Sequence, residues 1–380
     1  MRQDRQFAQT MLDHLTRICP DQPVLYFDPQ VLSDTLQRFK RGFDGMTTYA
    51  VKANPDPTIL QNLAALGIDG FDVASPFEVD LIREIAPQGV MHYNNPVRSV
   101  SEIQHAVTAG IRSFAVDRVS ELRKLAQHTP ISETEVSIRL KLPVGGAAYD
   151  FGDKYGASPK FASALLREAS KTGFKVSMTF HPGTQCQSPG TWESYIKTCG
   201  TLADACGVEL HRLNVGGGFP SRRRRCEGDD LGPVFKHIHQ CVAQSFVSPP
   251  ELVCEPGRSL VAEACTLAVR AKSIDEDDVT LNDGVYGGMS EFRDIYPIDR
   301  ISVLSSDGTR RVGPVGQRPV FGPTCDSLDT IPGGLALPND MREEDYLLIE
   351  GMGAYVIGIS SRFNGYGDIA LVKVKCVTVQ

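Results

Sequence analysis

The sequence lacks the cysteine pattern of a protein held together by disulfide bonds or built on a CxxC motif. Its 380 residues include ten cysteines, none in a CxxC pair and none at the even spacing of a disulfide framework. A chain of this length buries enough apolar surface to fold without such links. We therefore expect free thiols, a reducing compartment and no metal site.

Long apolar runs are also absent. No segment approaches the ~18 apolar residues of a membrane span. The N-terminal segment MRQDRQFAQTMLDHLTRICP is charged and has a helical pattern, without the apolar centre of a signal peptide. These absences predict a cytoplasmic protein with no membrane partner.

An excess of positive charge is missing as well. Lys and Arg number 39 against 46 Asp and Glu, which gives a formal net charge of −7. We therefore expect no nucleic-acid partner. The run Arg222-Arg223-Arg224-Arg225 is the exception, and we interpret it as a solvated loop after a glycine turn.

No strand leads into a GxGxxG turn, which argues against a doubly wound dinucleotide fold. Instead, residues 24 to 265 repeat one unit: a short β-rich run, a turn and a helical stretch closed by Gly or Pro. Eight such runs predict an α/β fold, a closed (β/α)8 barrel. The predicted strands are 47–53, 69–75, 89–95, 113–118, 135–142, 175–181, 212–217 and 251–257.

After about residue 266 the pattern changes to strands without intervening helices, as in ACTLAVRAKSI, DYLLIEGM and IALVKVKCVTV. This pattern predicts a C-terminal all-β domain. We place the barrel at 25–265 and assign 1–24 and 266–380 to the β-domain.

Polar residues stand at the predicted carboxyl ends of the barrel strands, where such barrels carry their reactive groups. The glycine turn 216–218 is either a phosphate-binding turn or a structural tight turn. A second glycine turn, in Glu255-Pro-Gly-Arg258, makes phosphate binding the favoured interpretation. Beside a phosphate, Lys52 suits a Schiff base with pyridoxal phosphate. A snorkelling or ion-paired lysine is the alternative. Glu255 would bind the pyridine nitrogen, and His181 would stack on the ring.

The motifs YAVKANP, FHPGTQC, VGGGFP, CEPGR, FGPTCDSLD and GAY resemble, in content and order, those of the fold-type III pyridoxal-phosphate decarboxylases. This family includes the ornithine, lysine, arginine and diaminopimelate decarboxylases, and the chain is most similar to the bacterial ornithine/lysine branch. The resemblance spans about residues 22 to 378. It implies pyridoxal 5′-phosphate as cofactor, amino-acid decarboxylation, and a homodimer whose active sites and interface include the β-domain.

The resemblance also implies roles for the matching residues. The catalytic set is Lys52 as the lysine joined to the cofactor, His181, Glu255, and Cys325 as the proton donor supplied by the partner subunit. The residues implied to bind the cofactor are Lys52, Asp72, Arg139, His181, Thr184, Gly217, Gly218, Glu255, Gly257, Arg258 and Tyr355, with Glu78 as a further acidic neighbour.

Two segments contain the residues predicted to bind the distal end of the substrate, CDSLD and residues 285–298. Asp326 in CDSLD resembles the ornithine/lysine branch and suits a terminal ammonium. The segment 285–298 (VYGGMSEFRDIYPI) resembles the bacterial enzymes but is shorter, and Tyr286 and Asp294 are its candidates for substrate binding. Arg293 would favour a substrate carboxylate if it points inward and is merely solvated if it points outward.

Ornithine is therefore the predicted substrate, with lysine next, which would place the chain in polyamine biosynthesis. A diaminopimelate-like or larger carboxylated amino acid, as in natural-product or siderophore biosynthesis, is the alternative. A regulator of the antizyme-inhibitor kind would not bind the cofactor, and Lys52, Glu255 and Cys325 argue against it. An alanine-racemase-like enzyme would have Arg in place of Glu255, so Glu255 favours decarboxylation.

Overall fold

The computed structural model describes residues 10–145, 154–228, 230–275, 278–295 and 299–378. The beginning of the predicted β-domain (1–9) and the end of the predicted substrate segment (296–298) lie outside the described residues. The described chain begins with helix α1 (Met11–Ile18), strand β1 (Val24–Phe27) and helix α2 (Pro29–Gly42).

Eight parallel strands close into a barrel, which confirms the predicted (β/α)8 fold. The barrel strands are β2 (Met46–Ala50), β3 (Gly70–Val73), β4 (Met91–Tyr93), β5 (Ser113–Val116), β6 (Glu135–Arg139), β7 (Lys175–Thr179), β8 (Arg212–Asn214) and β9 (Glu251–Cys254). A helix follows each strand: α3 (Pro57–Ala65), α4 (Pro76–Ile85), α5 (Val100–Thr108), α6 (Val119–His128), α7 (Pro159–Thr172), α8 (Pro189–Cys206), α9 (Gly232–Ser245) and the short α10 (Arg258–Val261).

Capping residues begin several helices directly behind the strand ends. The Asp56 carboxylate accepts a hydrogen bond from the backbone N–H of Thr58 at 2.7 Å, and the Ser75 hydroxyl accepts one from that of Glu78 at 3.3 Å. These side chains satisfy N–H groups that have no partner within the helix. The caps thereby fix the short loops at the carboxyl face of the barrel.

A second, seven-stranded sheet contains β10 (Cys265–Ile274), β11 (Val279–Leu281), β12 (Ile301–Leu304), β14 (Val320–Phe321), β16 (Tyr346–Glu350) and β17 (Ala370–Lys373), together with β1. Strands β13 (Val315–Arg318) and β15 (Leu335–Pro338) form a separate pair. These strands confirm the predicted β-rich C-terminal part.

Both ends of the described chain contribute to the second sheet. Strand β1 pairs antiparallel with β10 and parallel with β17. Residues 25–27, which the predicted boundary placed with the barrel, therefore pair with the sheet. The division of the chain into two domains stays a prediction.

The apolar core extends from the barrel into the second sheet, because one cluster of buried side chains includes both Tyr49 of β2 and Leu267 of β10. The rings of Trp192 and Phe219 stack within it, with centroids 5.3 Å apart. Within the described ranges, no helix combines the length and apolar character that crossing a membrane requires.

Candidate active site

Lys52 lies just beyond the end of a barrel strand. Strand β2 ends at Ala50, and Val51–Ala53 form a short 3₁₀ turn, so the predicted strand 47–53 is too long at its end. A residue from the C-terminal part of the chain fixes this turn, because the Ala53 carbonyl accepts a hydrogen bond from the backbone N–H of Tyr355 at 2.7 Å. Val51 and Ala53 are buried, whereas Lys52 between them reaches the open cleft.

Charged groups surround the Lys52 amine. Burial lowers its pKa, but the charges of Tyr355 and Asp72, followed by Glu255, raise it more, so the pKa of Lys52 lies above its ordinary value. The side chain is exposed to the cleft and yet enclosed by protein atoms on its other sides, as expected at the bottom of an open pocket. Its neighbours thus hold a charged amine in one place.

Every residue predicted to bind the cofactor lines one of two adjoining clefts that share Lys52. The first contains about 500 Å³ of empty space, part of it open to solvent. Its predicted members are Lys52, Asp72, His181, Thr184, Gly217, Gly218, Glu255, Gly257, Arg258 and Tyr355. Arg139 lines the second cleft together with Lys52, Asp72, His181 and Glu255.

Two asparagines anchor Glu255. The side-chain amides of Asn94 and Asn214 both donate hydrogen bonds to one carboxylate oxygen, Oε1. Burial raises the pKa of Glu255, and the Asn214 bond lowers it. Oε2 bonds to none of the described residues, so it remains available to a cationic ring N–H. Sequence reasoning misses Asn214, although its place at the end of β8 is a signal that could have found it.

His181 presents a neutral ring to the cleft. The backbone N–H of Gly183 donates a hydrogen bond to Nδ1 at 3.1 Å, so in the neutral ring the proton lies on Nε2. Burial holds the pKa of His181 well below its ordinary range, and the charges of Lys52 and Arg139 lower it further. An uncharged planar ring is the group that can lie against an aromatic cofactor.

The glycine turns need glycine for conformational and steric reasons. Gly216 and Gly218 have φ angles of +70° and +79°, which strain any residue with a Cβ. A Cβ on Gly217 would lie 2.7 Å from the backbone oxygen of Glu255, and one on Gly257 would lie 2.9 Å from Cβ of Ala53. Bare backbone therefore borders the cleft at both turns, as close approach of a phosphate requires.

Arg258 and Tyr355 border the same side of the cleft. The Arg258 guanidinium lies 4.8 Å from the centre of the Tyr355 ring and forms a bidentate ion pair with Glu291. Tyr355 has a φ of +56°, a left-handed conformation that is uncommon outside glycine. Sequence reasoning misses Glu291, because only the fold brings its segment to the glycine turns.

Asp72 Oδ1 and Ser259 Oγ are buried in the cleft without a hydrogen-bond partner among the described residues. Buried polar atoms are nearly always bonded, so both indicate a polar ligand. Burial raises the pKa of Asp72 well above its ordinary value, and the Glu255 charge raises it further. With the lysine, the anchored carboxylate, the neutral imidazole and the glycine turns, these residues fit pyridoxal phosphate.

Glu78 lines neither cleft, but its carboxylate lies near Lys52. Its carboxylate accepts a hydrogen bond from the backbone N–H of Ala74 at 2.6 Å. Burial raises its pKa, while that hydrogen bond and the Lys52 charge lower it. Glu78 thus fixes the loop that follows Asp72, and its charge acts on Lys52 from there.

Cys325 lies outside both clefts. It is exposed, and its Sγ–H and its backbone N–H both donate to Asn364 Oδ1, each at 3.1 Å. Neither cleft around Lys52 includes Cys325 in its lining. A single chain, within its described part, therefore does not bring this thiol to the lysine.

Three of the four predicted substrate residues form one cluster. The Tyr286 hydroxyl donates a hydrogen bond to Asp326 Oδ2 at 2.6 Å, and the Arg293 guanidinium lies 5.3 Å from the Tyr286 ring centre. The Tyr286 bond, followed by the Leu328 backbone bond and the Arg293 charge, lowers the pKa of Asp326. Asp294 is exposed, and its carboxylate bonds to none of the residues that the structure describes.

The arginine run is only partly a solvated loop. Arg224 and Arg225 are exposed as expected, but Arg223 is 8% exposed, so the interpretation is wrong for this residue. Its guanidinium donates to the backbone oxygens of Gly351 and Ile295 at 3.4 and 3.3 Å. Burial, followed by the charge of a nearby arginine outside the run, lowers the pKa of Arg223 to about 10. The loop folds against the β-rich part of the chain, which local charge counting does not reveal.

A barrel whose strand ends gather a lysine, an anchored carboxylate, a neutral histidine and two glycine turns defines a pyridoxal-phosphate-dependent enzyme. The chain belongs to the pyridoxal-dependent decarboxylases: the family model for the pyridoxal binding domain matches residues 30–262. This confirms the predicted family, cofactor and enzyme class, a carbon–carbon lyase that decarboxylates amino acids.

Similar proteins agree with this class. Decarboxylase flvG of Aspergillus flavus is 31% identical over 350 residues, covering 84% of this chain and 77% of the relative. Ornithine decarboxylase of Mus musculus is 32% identical over 344 residues, covering 84% and 73%. The crystal structure of lysine/ornithine decarboxylase from Vibrio vulnificus complexed with putrescine matches with a TM-score of 0.79 and 25% identity, covering 92% and 94% of the two chains.

Proposed function

We propose that this enzyme decarboxylates a basic L-amino acid to a diamine and carbon dioxide, with ornithine as the first candidate and lysine as the second. The observation that carries the proposal is the Asp326 carboxylate, which is negatively charged at neutral pH and which the Tyr286 hydroxyl holds in place. Such a group attracts a distal ammonium. The mouse ornithine decarboxylase and the putrescine-bound Vibrio enzyme support the choice.

Pyridoxal phosphate, when bound, supplies an electron sink for the negative charge that remains as carbon dioxide leaves. Lys52 would hold it covalently through Nζ, and Glu255 Oε2 would keep a proton on its ring nitrogen. His181 would lie against the ring. The glycine turns, with Thr184, Arg258 and Tyr355, would hold the phosphate, while Asp72 and Arg139 would orient the ring from the second cleft.

Cys325 would donate a proton from Sγ to the substrate's α-carbon. Because it is exposed and absent from the clefts of its own chain, we propose that it acts in the active site of a partner subunit. The enzyme would then be a homodimer with shared sites. A cytoplasmic location and a place in polyamine biosynthesis remain predictions that accompany this proposal.

Mixing two inactive variants tests the shared site. Lys52→Ala and Cys325→Ala are each expected to lose activity, but after subunit exchange about a quarter of the sites would contain both native residues. We expect recovery of about a quarter of the wild-type rate, measured as carbon dioxide release. Cys325→Ala should retain cofactor absorbance. No recovery after verified exchange, or full activity in a proven monomer, would contradict the arrangement.

A screen of amino acids for carbon dioxide release tests which of them the enzyme decarboxylates. We expect turnover of L-ornithine and L-lysine, and little with their D-isomers, L-arginine or meso-diaminopimelate. Asp326→Asn should raise KM for ornithine by about 10- to 100-fold, because a charged hydrogen bond is lost. Ser327→Ala, at the exposed neighbouring position, is the matched control. Absence of carbon dioxide release from every basic amino acid would refute the proposed function.

Arg293 supports a second candidate, an amino acid with a distal carboxylate. Its guanidinium lies over the Tyr286 ring, beside the hydrogen bond from Tyr286 to Asp326. Guanidinium groups bind carboxylates in a bidentate manner. If this candidate holds, wild type turns over meso-diaminopimelate and Arg293→Gln raises that KM. If ornithine is the substrate, Arg293→Gln leaves its KM within a few-fold of wild type.

A further inference from the structure

A second cluster of reactive side chains lies on the outside of the barrel, between α8 and α9. Glu193 is near the beginning of α8, and His237 and Cys241 are one turn apart on α9. His237 Nε2 lies 3.0 Å from Glu193 Oε2 and 3.5 Å from Cys241 Sγ. The three donor atoms all lie within 4.8 Å of one another.

The two separations from His237 Nε2 are close to the donor separations around a tetrahedral zinc ion. Bonds of about 2.0–2.3 Å from zinc to oxygen, nitrogen and sulfur place neighbouring donors about 3.2–3.8 Å apart. The nitrogen–oxygen and nitrogen–sulfur distances of 3.0 and 3.5 Å lie within a few tenths of an ångström of that range. An ion could therefore enter the triad with small side-chain movements.

The donor types select the class of metal. One thiolate, one imidazole and one carboxylate suit zinc and its first-row neighbours, whereas magnesium and calcium prefer oxygen ligands alone. Lys197 pairs with Oε1 of Glu193, which leaves Oε2 directed at His237. The side chains of Glu193 and His237 are about one-third exposed, at 33% and 32%, so an ion has access from solvent.

We propose that Glu193, His237 and Cys241 bind one divalent transition-metal ion of the zinc class, with water as the fourth ligand. The site would join two helices that each follow an active-site loop: α8 begins after the His181 loop, and α9 begins after the glycine turn. The sequence contains no metal motif, because two ligands are a helical turn apart and the third comes from another helix. Metal binding would therefore stabilise the barrel beside the cofactor cleft.

Metal content tests the site in tag-free, cofactor-loaded protein. After equilibration with zinc and removal of unbound ion, elemental analysis should give one zinc per chain. Glu193→Gln and Cys241→Ser should each weaken zinc binding by about 10- to 100-fold. His211→Gln and Cys206→Ser, which remove a histidine and a cysteine elsewhere, should leave it unchanged. Zinc should also raise the thermal midpoint of wild type but not of Glu193→Gln.

Cobalt(II) provides an independent readout, because a thiolate-to-cobalt charge-transfer band and visible bands report a tetrahedral site containing a cysteine. We expect these bands in wild type and their loss in Cys241→Ser. Glu193→Gln is isosteric at a partly exposed position, so it keeps the test decisive if the cysteine variant fails to fold. No zinc retained by wild type, or equal retention by Glu193→Gln, would overturn the proposal.

Discussion

Replacing Lys52 by alanine is expected to lower kcat/KM by about 10³-fold or more, since the amine that joins the cofactor to the protein is lost. The visible absorption that bound pyridoxal phosphate acquires when joined to a lysine should disappear as well. Lys52→Arg should fail similarly, because it keeps the positive charge near Asp72 and Glu255 but offers no amine nucleophile. Steady-state kinetics and absorbance spectra of the purified variants measure both effects.

Lys171→Ala, at an exposed position on α7, is the matched control and should retain activity and spectrum. Persistence of the visible absorption in Lys52→Ala would show that another lysine holds the cofactor. Such a result would refute the assignment of Lys52, whatever the activity.

Glu255→Gln should reduce kcat by about 10²- to 10³-fold while leaving the protein folded and able to bind the cofactor. Glutamine can still accept the Asn94 and Asn214 bonds through its oxygen, so the anchor survives. Its NH₂ group would then replace Oε2, and an N–H donor opposes a protonated ring nitrogen. Glu255→Gln would therefore weaken the cofactor as an electron sink and preserve the shape of the site.

Asn94→Ala tests the anchor of Glu255 separately from its charge. This variant keeps the Glu255 carboxylate but removes one of its two amide donors, so we expect a loss of about 10-fold, smaller than that of Glu255→Gln. Wild-type kcat in Glu255→Gln would contradict the proposed role of the carboxylate. A larger loss in Asn94→Ala than in Glu255→Gln would also contradict it.

The barrel was predictable because each repeated unit joins a short β-rich run to a helical stretch closed by Gly or Pro, and this signal is local. The ends of the strands were less predictable. Residues 51–53 read as a continuation of β2, yet a hydrogen bond from Tyr355, some 300 residues further along the chain, fixes them as a turn. No local pattern contains that contact.

The site residues that belong to sequence motifs were predictable. Those that only the packing of the fold brings to the site were missed. Lys52, His181 and the glycine turns belong to motifs, and the structure gathers them around one cleft. Glu291 reaches Arg258 from the β-rich part of the chain, and Arg223 is buried although the next two residues of the run are exposed. Pairings of this kind depend on how the barrel and the second sheet pack.

Reduction of the cofactor-loaded enzyme with sodium borohydride, followed by digestion and mass spectrometry, tests the central claim most directly. Borohydride converts the reversible bond between a lysine and pyridoxal phosphate into a permanent one. We predict that the phosphopyridoxyl group is found on the peptide that contains Lys52 and on no other lysine. A label on a different lysine, or an unlabelled protein that still decarboxylates amino acids, would contradict the account.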